Sequence, residues 1–180
     1  MPSSSSTTDS RARLTAPEAR DLAAVANRLA AALVAGEWTL SSAESSTGGL
    51  IGHAITMVQG ASRYYVGGVI AYSNLAKSLQ LGIPEDLIAA HGAVSAEVAE
   101  AMAEGVRSRF DTDLAVAVTG IAGPDADGSA KPIGLHFVAA VQRGHPATVE
   151  RHVYTRDREG NKAEAALAAL ELAIREIDAG

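Results

Sequence analysis

Two short stretches of this chain hold the residues best suited to chemistry. One is the hydroxyl-rich turn Ser45-Ser46-Thr47-Gly48-Gly49; the other places Tyr72 and Lys77 five positions apart behind an apolar run. A serine hydroxyl is a weak nucleophile and needs a base. A tyrosinate can serve if a nearby ammonium lowers the phenol pKa, and Lys77 is the candidate for that charge. Five positions apart do not share a face on an unbroken helix. A bend between a strand ending at Tyr72 and a helix starting near Asn74 would bring the pair together. A Gly-rich turn between strand and helix also aims backbone N–H groups at one point, suited to a phosphate or an oxyanion. The same residues equally suit a plain turn with Ser45 or Thr47 as N-cap, a buried tyrosine and a solvated lysine. The sequence alone leaves both readings open.

A third segment, Thr119-Gly120-Ile121-Ala122-Gly123-Pro124, follows the clearest core strand, 113–119. Ligands of open α/β sheets gather outside the carboxyl ends of strands, so Thr119 and the Gly120 N–H are candidate substrate contacts. An ordinary Gly/Pro turn is the alternative. The five histidines, His53, His91, His136, His145 and His152, show no metal-pair spacing. His136 and His152 could approach across a hairpin, but two ligands do not make a metal site. No metal and no cofactor are expected.

These segments need a scaffold, and the pattern supplies one. Leu22, Val25, Leu29 and Leu33 form one helical stripe that stops near Gly36. A strand is predicted over 38–43, a helix over 50–58, a strand over 66–71 and a short helix over 74–80. Ser95 caps a helix running to Phe110. After a loop over 120–134, of the length that is often functional, two strands form a hairpin around Arg143-Gly144-His145-Pro146, and a helix over 161–177 closes the chain. Helices between strands, then a hairpin, predict a three-layer α/β/α domain with a mixed sheet.

The bulk properties fit. The 180 residues suffice for one domain with a real core. Residues 1–13 are Ser/Thr-rich and read as a disordered tail, with 14–180 as the domain. A net charge of −6 without a basic cluster argues against nucleic acid. There are no cysteines, which excludes disulfides and thiolate chemistry and suits a reducing, cytoplasmic setting. No apolar run approaches the roughly 20 residues of a membrane helix. The Ala-rich last helix suggests an interface, so a homodimer or larger homo-oligomer is expected.

Taken together, Ala43 to Gly49, Gly67 to Asn74, Lys77, Gly92-Ala93-Val94-Ser95, Val118 to Pro124 and Lys131-Pro132-Ile133-Gly134 resemble the CinA C-terminal domain family and its stand-alone nicotinamide mononucleotide deamidases. The resemblance spans about 14–177. It implies hydrolysis of the carboxamide of nicotinamide mononucleotide to nicotinate mononucleotide and ammonia, at a metal-free site. It implies Ser45 as nucleophile, Tyr72 and Lys77 as its activators, and Thr119 and Gly120 as substrate contacts. Ser46, Thr47, Gly48, Gly49 and Asn74 complete the expected binding set, and an oxyanion near Gly48 and Gly49 is our own addition. Two departures stand out. Ser46 sits where the family usually has cysteine. Asp157 and Arg158 fit the family's acidic-Arg pair, but its further arginine is Lys162 here, which offers charge without a bidentate fork. The alternatives are a non-catalytic nucleotide-binding module of the same fold and an amidase for another small amide.

Overall fold

The computed structural model describes residues 16–125 and 128–179; the expected tail over 1–13 lies outside them. The elements run α1 (Ala16–Ala35), β1 (Leu40–Glu44), α2 (Leu50–Thr56), a 3-10 turn (Ala61–Arg63), β2 (Tyr65–Ile70), α3 (Asn74–Leu81), α4 (Glu85–His91), α5 (Ala96–Phe110), β3 (Leu114–Gly120), β4 (Leu135–Gln142), β5 (Thr148–Val153) and α6 (Arg158–Ala179). The strands form one sheet in the order β2-β1-β3-β4-β5. β1 pairs parallel with both β2 and β3, and β4 is antiparallel to β3 and β5. The expected mixed sheet is present.

Two cores explain the layers. On β3, Leu114, Val116 and Val118 point to one face and meet Leu29 and Leu33 of α1 and Leu170 of α6. Ala115 and Ala117 point to the other and meet Val98, Met102 and Val106 of α5. The alternation of large and small side chains along one strand follows the period of two and lets α5 approach closely. The alanines expected to form an interface on α6 are used internally: Ala163, Ala165, Ala166, Ala169 and Ala173 are buried in the first core. That helix therefore offers no argument for self-association.

Some expectations shift. β1 reaches Glu44 rather than stopping at Ala43, and α6 begins at Arg158, three residues earlier than the periodicity predicts. The periodicity also passed over α4, only seven residues long. Glycine inside β2 has a packing reason: a Cβ on Gly68 would lie 2.5 Å from both Ser42 Oγ and Tyr65 Oη. Those two hydroxyls hydrogen-bond each other at 2.7 Å. No helix among the described residues is long and apolar enough to cross a membrane.

Gly105, inside α5, carries a testable consequence. A Cβ there would collide with the Leu81 carbonyl where α3 ends. Alanine normally favours a helix over glycine by about 1 kcal/mol, but here overpacking outweighs that gain. Gly105→Ala should destabilise by about 1–3 kcal/mol, read as a Tm lower by several degrees. An unchanged or higher Tm would contradict the close packing of α3 on α5.

Candidate active site

The carboxyl ends of the three parallel strands converge. Ser45 follows β1 directly, and its N–H donates to Val118 O at 3.0 Å. Tyr72 follows β2, and Thr119 and Gly120 end β3. A cavity of about 160 Å³ opens between them, lined by Ser45, Ser46, Tyr72, Lys77, Ala93, Val94, Thr119, Gly120, Ala122 and Arg158. A hollow of about 410 Å³, lined by Trp38, Arg143 and His145, lies at the other end of the strands, away from Ser45.

Lys77 is the unusual residue. Ser73 caps α3 by accepting from Ala76 N–H at 3.1 Å, which starts the helix after the bend. One turn later Lys77 reaches back over the end of β2, with only 1 % of its surface exposed. Its Nζ donates to Ser45 Oγ at 3.0 Å, to Ala71 O at 3.0 Å and to Tyr72 O at 3.3 Å. Three donor protons thus meet three neutral oxygens. No ion pair with a carboxylate is formed among the described residues, so no opposite charge offsets desolvation of the ammonium. Burial lowers its pKa from 10.5 to about 8. At pH 7 roughly one molecule in ten then carries a neutral amine beside the Ser45 hydroxyl.

The bend expected between Tyr72 and Asn74 is real, but it delivers a different contact. The ammonium sits on the Tyr72 carbonyl, not on its phenol. The side chain of Tyr72 is 62 % exposed, and its hydroxyl accepts from Arg158 Nη2 at 3.3 Å. A tyrosinate created by Lys77 is not what this arrangement provides. Lys77 reaches the serine without an intermediary.

The turn after Ser45 is also reassigned. The Glu44 carboxylate is buried and occupies the start of α2. It accepts from Thr47 Oγ1 at 2.7 Å and from the N–H groups of Gly49, Ile51 and Gly52 at 2.9, 3.1 and 2.8 Å. Gly48 N–H donates to Ser45 O at 3.2 Å. Thr47 and Gly49 therefore serve the internal carboxylate, the Gly48 N–H is spent on the Ser45 carbonyl, and none of the three lines the cavity, so the geometry gives no support to the oxyanion role expected for Gly48 and Gly49. Both glycines have φ in the left-handed region, 63° and 103°, which the turn requires. Asn74 lies in the first turn of α3 beside Leu75 and Ser78, outside this cavity.

Of the remaining expected contacts, Ser46, Thr119 and Gly120 line the cavity. Thr119 Oγ1 donates to Ala93 O at 2.7 Å and so fixes the wall. Gly120 must be glycine, because a Cβ would strike the His136 ring. His136 is fully buried, and burial lowers its pKa, which favours the neutral ring. It faces His152 in register across β4 and β5. No group of residues suited to a metal ion occurs among the described residues. Arg158 brings a cation to the cavity, bound to Gly123 O at 2.5 Å as well as to Tyr72. Lys162 instead pairs with Glu159 at 3.3 Å and does not line the cavity. Sequence reasoning missed Glu44. Its signal was an acidic residue at a strand end, just before the Gly-Gly turn into a helix.

A three-layer α/β domain with a buried serine–lysine pair at its strand ends is the class this geometry defines. The family model of the CinA C-terminal domain matches residues 22–177, and the chain belongs to that family. It is 47 % identical over 136 residues to a CinA-like protein of Gemmatimonas aurantiaca, covering 76 % of this chain and 31 % of that one. To a CinA-like protein of Salinibacter ruber it is 48 % identical over 146 residues, covering 81 % and 35 %. The chain thus matches about a third of the length of these curated relatives. Among solved structures, a CinA superfamily protein of Klebsiella pneumoniae superposes with a TM-score of 0.86 at 30 % identity, covering 88 % of this chain and 99 % of that one. The competence/damage inducible protein CihA of Agrobacterium tumefaciens gives 0.83 at 33 % identity, covering 88 % and 96 %.

The buried lysine predicts a pH signature in stability. Between about 8 and 10.5 the unfolded chain holds a proton on Lys77 that the folded chain has released, so wild-type stability gains with pH across that window. Lys77→Met lacks this term and keeps the tyrosines whose pKa values burial raises. Urea melts should show the wild type gaining on Lys77→Met as pH rises from about 8 towards 10.5. Parallel stability curves would contradict the lowered pKa.

Proposed function

We propose that this chain is a serine amidohydrolase of the Ser–Lys type, acting on the carboxamide of nicotinamide mononucleotide. The observation that carries the chemistry is the 3.0 Å contact between Lys77 Nζ and Ser45 Oγ in a buried setting. The substrate rests on the family resemblance, supported by the Arg158 cation at the cavity, a residue type that suits phosphate. Neutral Lys77 takes the Ser45 proton as Oγ attacks the amide carbon. The ammonium returns a proton to the departing nitrogen, which leaves as ammonia, and an ester on Ser45 remains. Water then attacks that ester as Lys77 takes one of its protons; the ammonium returns the proton to Ser45 Oγ as the acyl–oxygen bond breaks, and nicotinate mononucleotide leaves with Ser45 and neutral Lys77 restored. Ser45 and Lys77 act as one unit, and Tyr72 with Arg158 contributes to binding rather than to proton transfer.

Ammonia release from nicotinamide mononucleotide tests this. The wild type should turn over, with kcat/KM rising with pH around a pKa of about 8 as Lys77 deprotonates. Ser45→Ala and Lys77→Met should each lose about 10³-fold or more. Tyr72→Phe should lose far less than the roughly 10²–10⁴-fold typical of an acid–base group. Full activity in Ser45→Ala would remove the nucleophile, and a collapse in Tyr72→Phe would restore the phenol as base.

A further inference from the structure

We propose that Lys131 is a positioning residue that holds one wall of the Ser45 cavity, so that substrate binding depends on it although it does not line the cavity. The wall is the connector between α4 and α5. Ala93 and Val94 of this connector line the cavity with Ser45 and Lys77. The carbonyl of His91, the last residue of α4, and those of the connector have no helical N–H to accept from and need other donors. Each of four consecutive carbonyls receives one from a side chain. His91 O accepts from Lys131 Nζ at 2.8 Å, and Gly92 O from Ser95 Oγ at 2.9 Å. Ala93 O accepts from Thr119 Oγ1 at 2.7 Å, and Val94 O from Lys131 Nζ again at 2.7 Å.

Lys131 thus holds both ends of the connector from a segment 37 residues further along the chain. Its ammonium also lies at the C-terminus of α4, where a cation is favoured. The path of the side chain is close: a Cβ on Gly92 would lie 2.9 Å from Nζ. Gly92 itself has φ of 78°. Ser95 is committed twice, since its hydroxyl also caps α5 through Val98 N–H at 3.3 Å. Thr119 is fixed at the end of β3. Lys131 is the one long, flexible member of the set, and it supplies two of the four bonds. Without it the wall keeps Gly92 and Ala93 tied and loses the anchors on either side of them.

This inference rests on the proposed hydrolysis for its kinetic part and is independent of it for its structural part. Lys131→Met keeps the stem and removes the donors. Lys131→Arg keeps donors that can reach two carbonyls. With nicotinamide mononucleotide, Lys131→Met should raise KM by about fivefold or more while kcat stays within about twofold, because the Ser45–Lys77 pair is untouched. Lys131→Arg should recover part of the loss. Hydrogen exchange on the same proteins should show faster exchange of the 92–95 amides in Lys131→Met, with the 44–52 amides unchanged. Wild-type KM together with wild-type exchange in Lys131→Met would overturn the assignment. So would an equal fall in kcat and kcat/KM at constant KM. A wild type that releases no ammonia counts against the proposed hydrolysis alone, and unchanged exchange at 92–95 would then still overturn the role of Lys131.

Discussion

The site depends on a lysine charge with nowhere favourable to go. Lys77 is taken out of water at the ends of β1 and β2, and it meets two carbonyls and one hydroxyl but, among the described residues, no carboxylate. Its protonated form is therefore costly, and that cost makes it a base near neutral pH. A surface lysine at the same distance from Ser45 would stay charged and could not accept a proton. Everything around it maintains this state: the Ser73 cap that starts α3, the bend after β2 and the packing of α3 on α5 that Gly105 permits.

Glu44 shows how a neighbouring carboxylate is satisfied apart from the lysine. It neighbours Ser45 in sequence, yet its carboxylate turns into the start of α2 and is solvated there by Thr47 and three backbone N–H groups. A buried carboxylate needs such donors. The arrangement keeps Glu44 from pairing with Lys77, a contact that would raise the lysine pKa again. The Gly-Gly turn thus acts as an internal anion site already filled by the chain's own side chain.

Much of this was legible in the sequence. The helical stripe of Leu22, Val25, Leu29 and Leu33, the core strand read over 113–119 and found over Leu114–Gly120, and the turn chemistry around Gly48 and Gly49 carry strong local signals, so fold class and element order follow from them. The partners of the site were less legible. Lys77 and Ser45 are 32 residues apart, and only the parallel pairing of β1 with β2 shows that the lysine reaches the serine while the phenol does not. The Gly48 and Gly49 donors read as open because local sequence cannot show that Glu44 turns back onto the Gly49 N–H while the Ser45 carbonyl takes that of Gly48. The role of Lys131 needs the spatial meeting of two loops, which no periodicity reports. The α6 alanines are a related case, buried within the domain: small residues suit close packing inside a domain as well as between chains.

The central claim is a base made from a buried, uncompensated ammonium, and it is read most directly by titrating Lys77 itself. Carbon-13 NMR of the lysine Cε resonances, with the Lys77 signal assigned through Lys77→Arg, gives its midpoint without any substrate. The account predicts a midpoint of about 8. A midpoint in the ordinary lysine range near 10.5 would contradict it and leave Ser45 without its base.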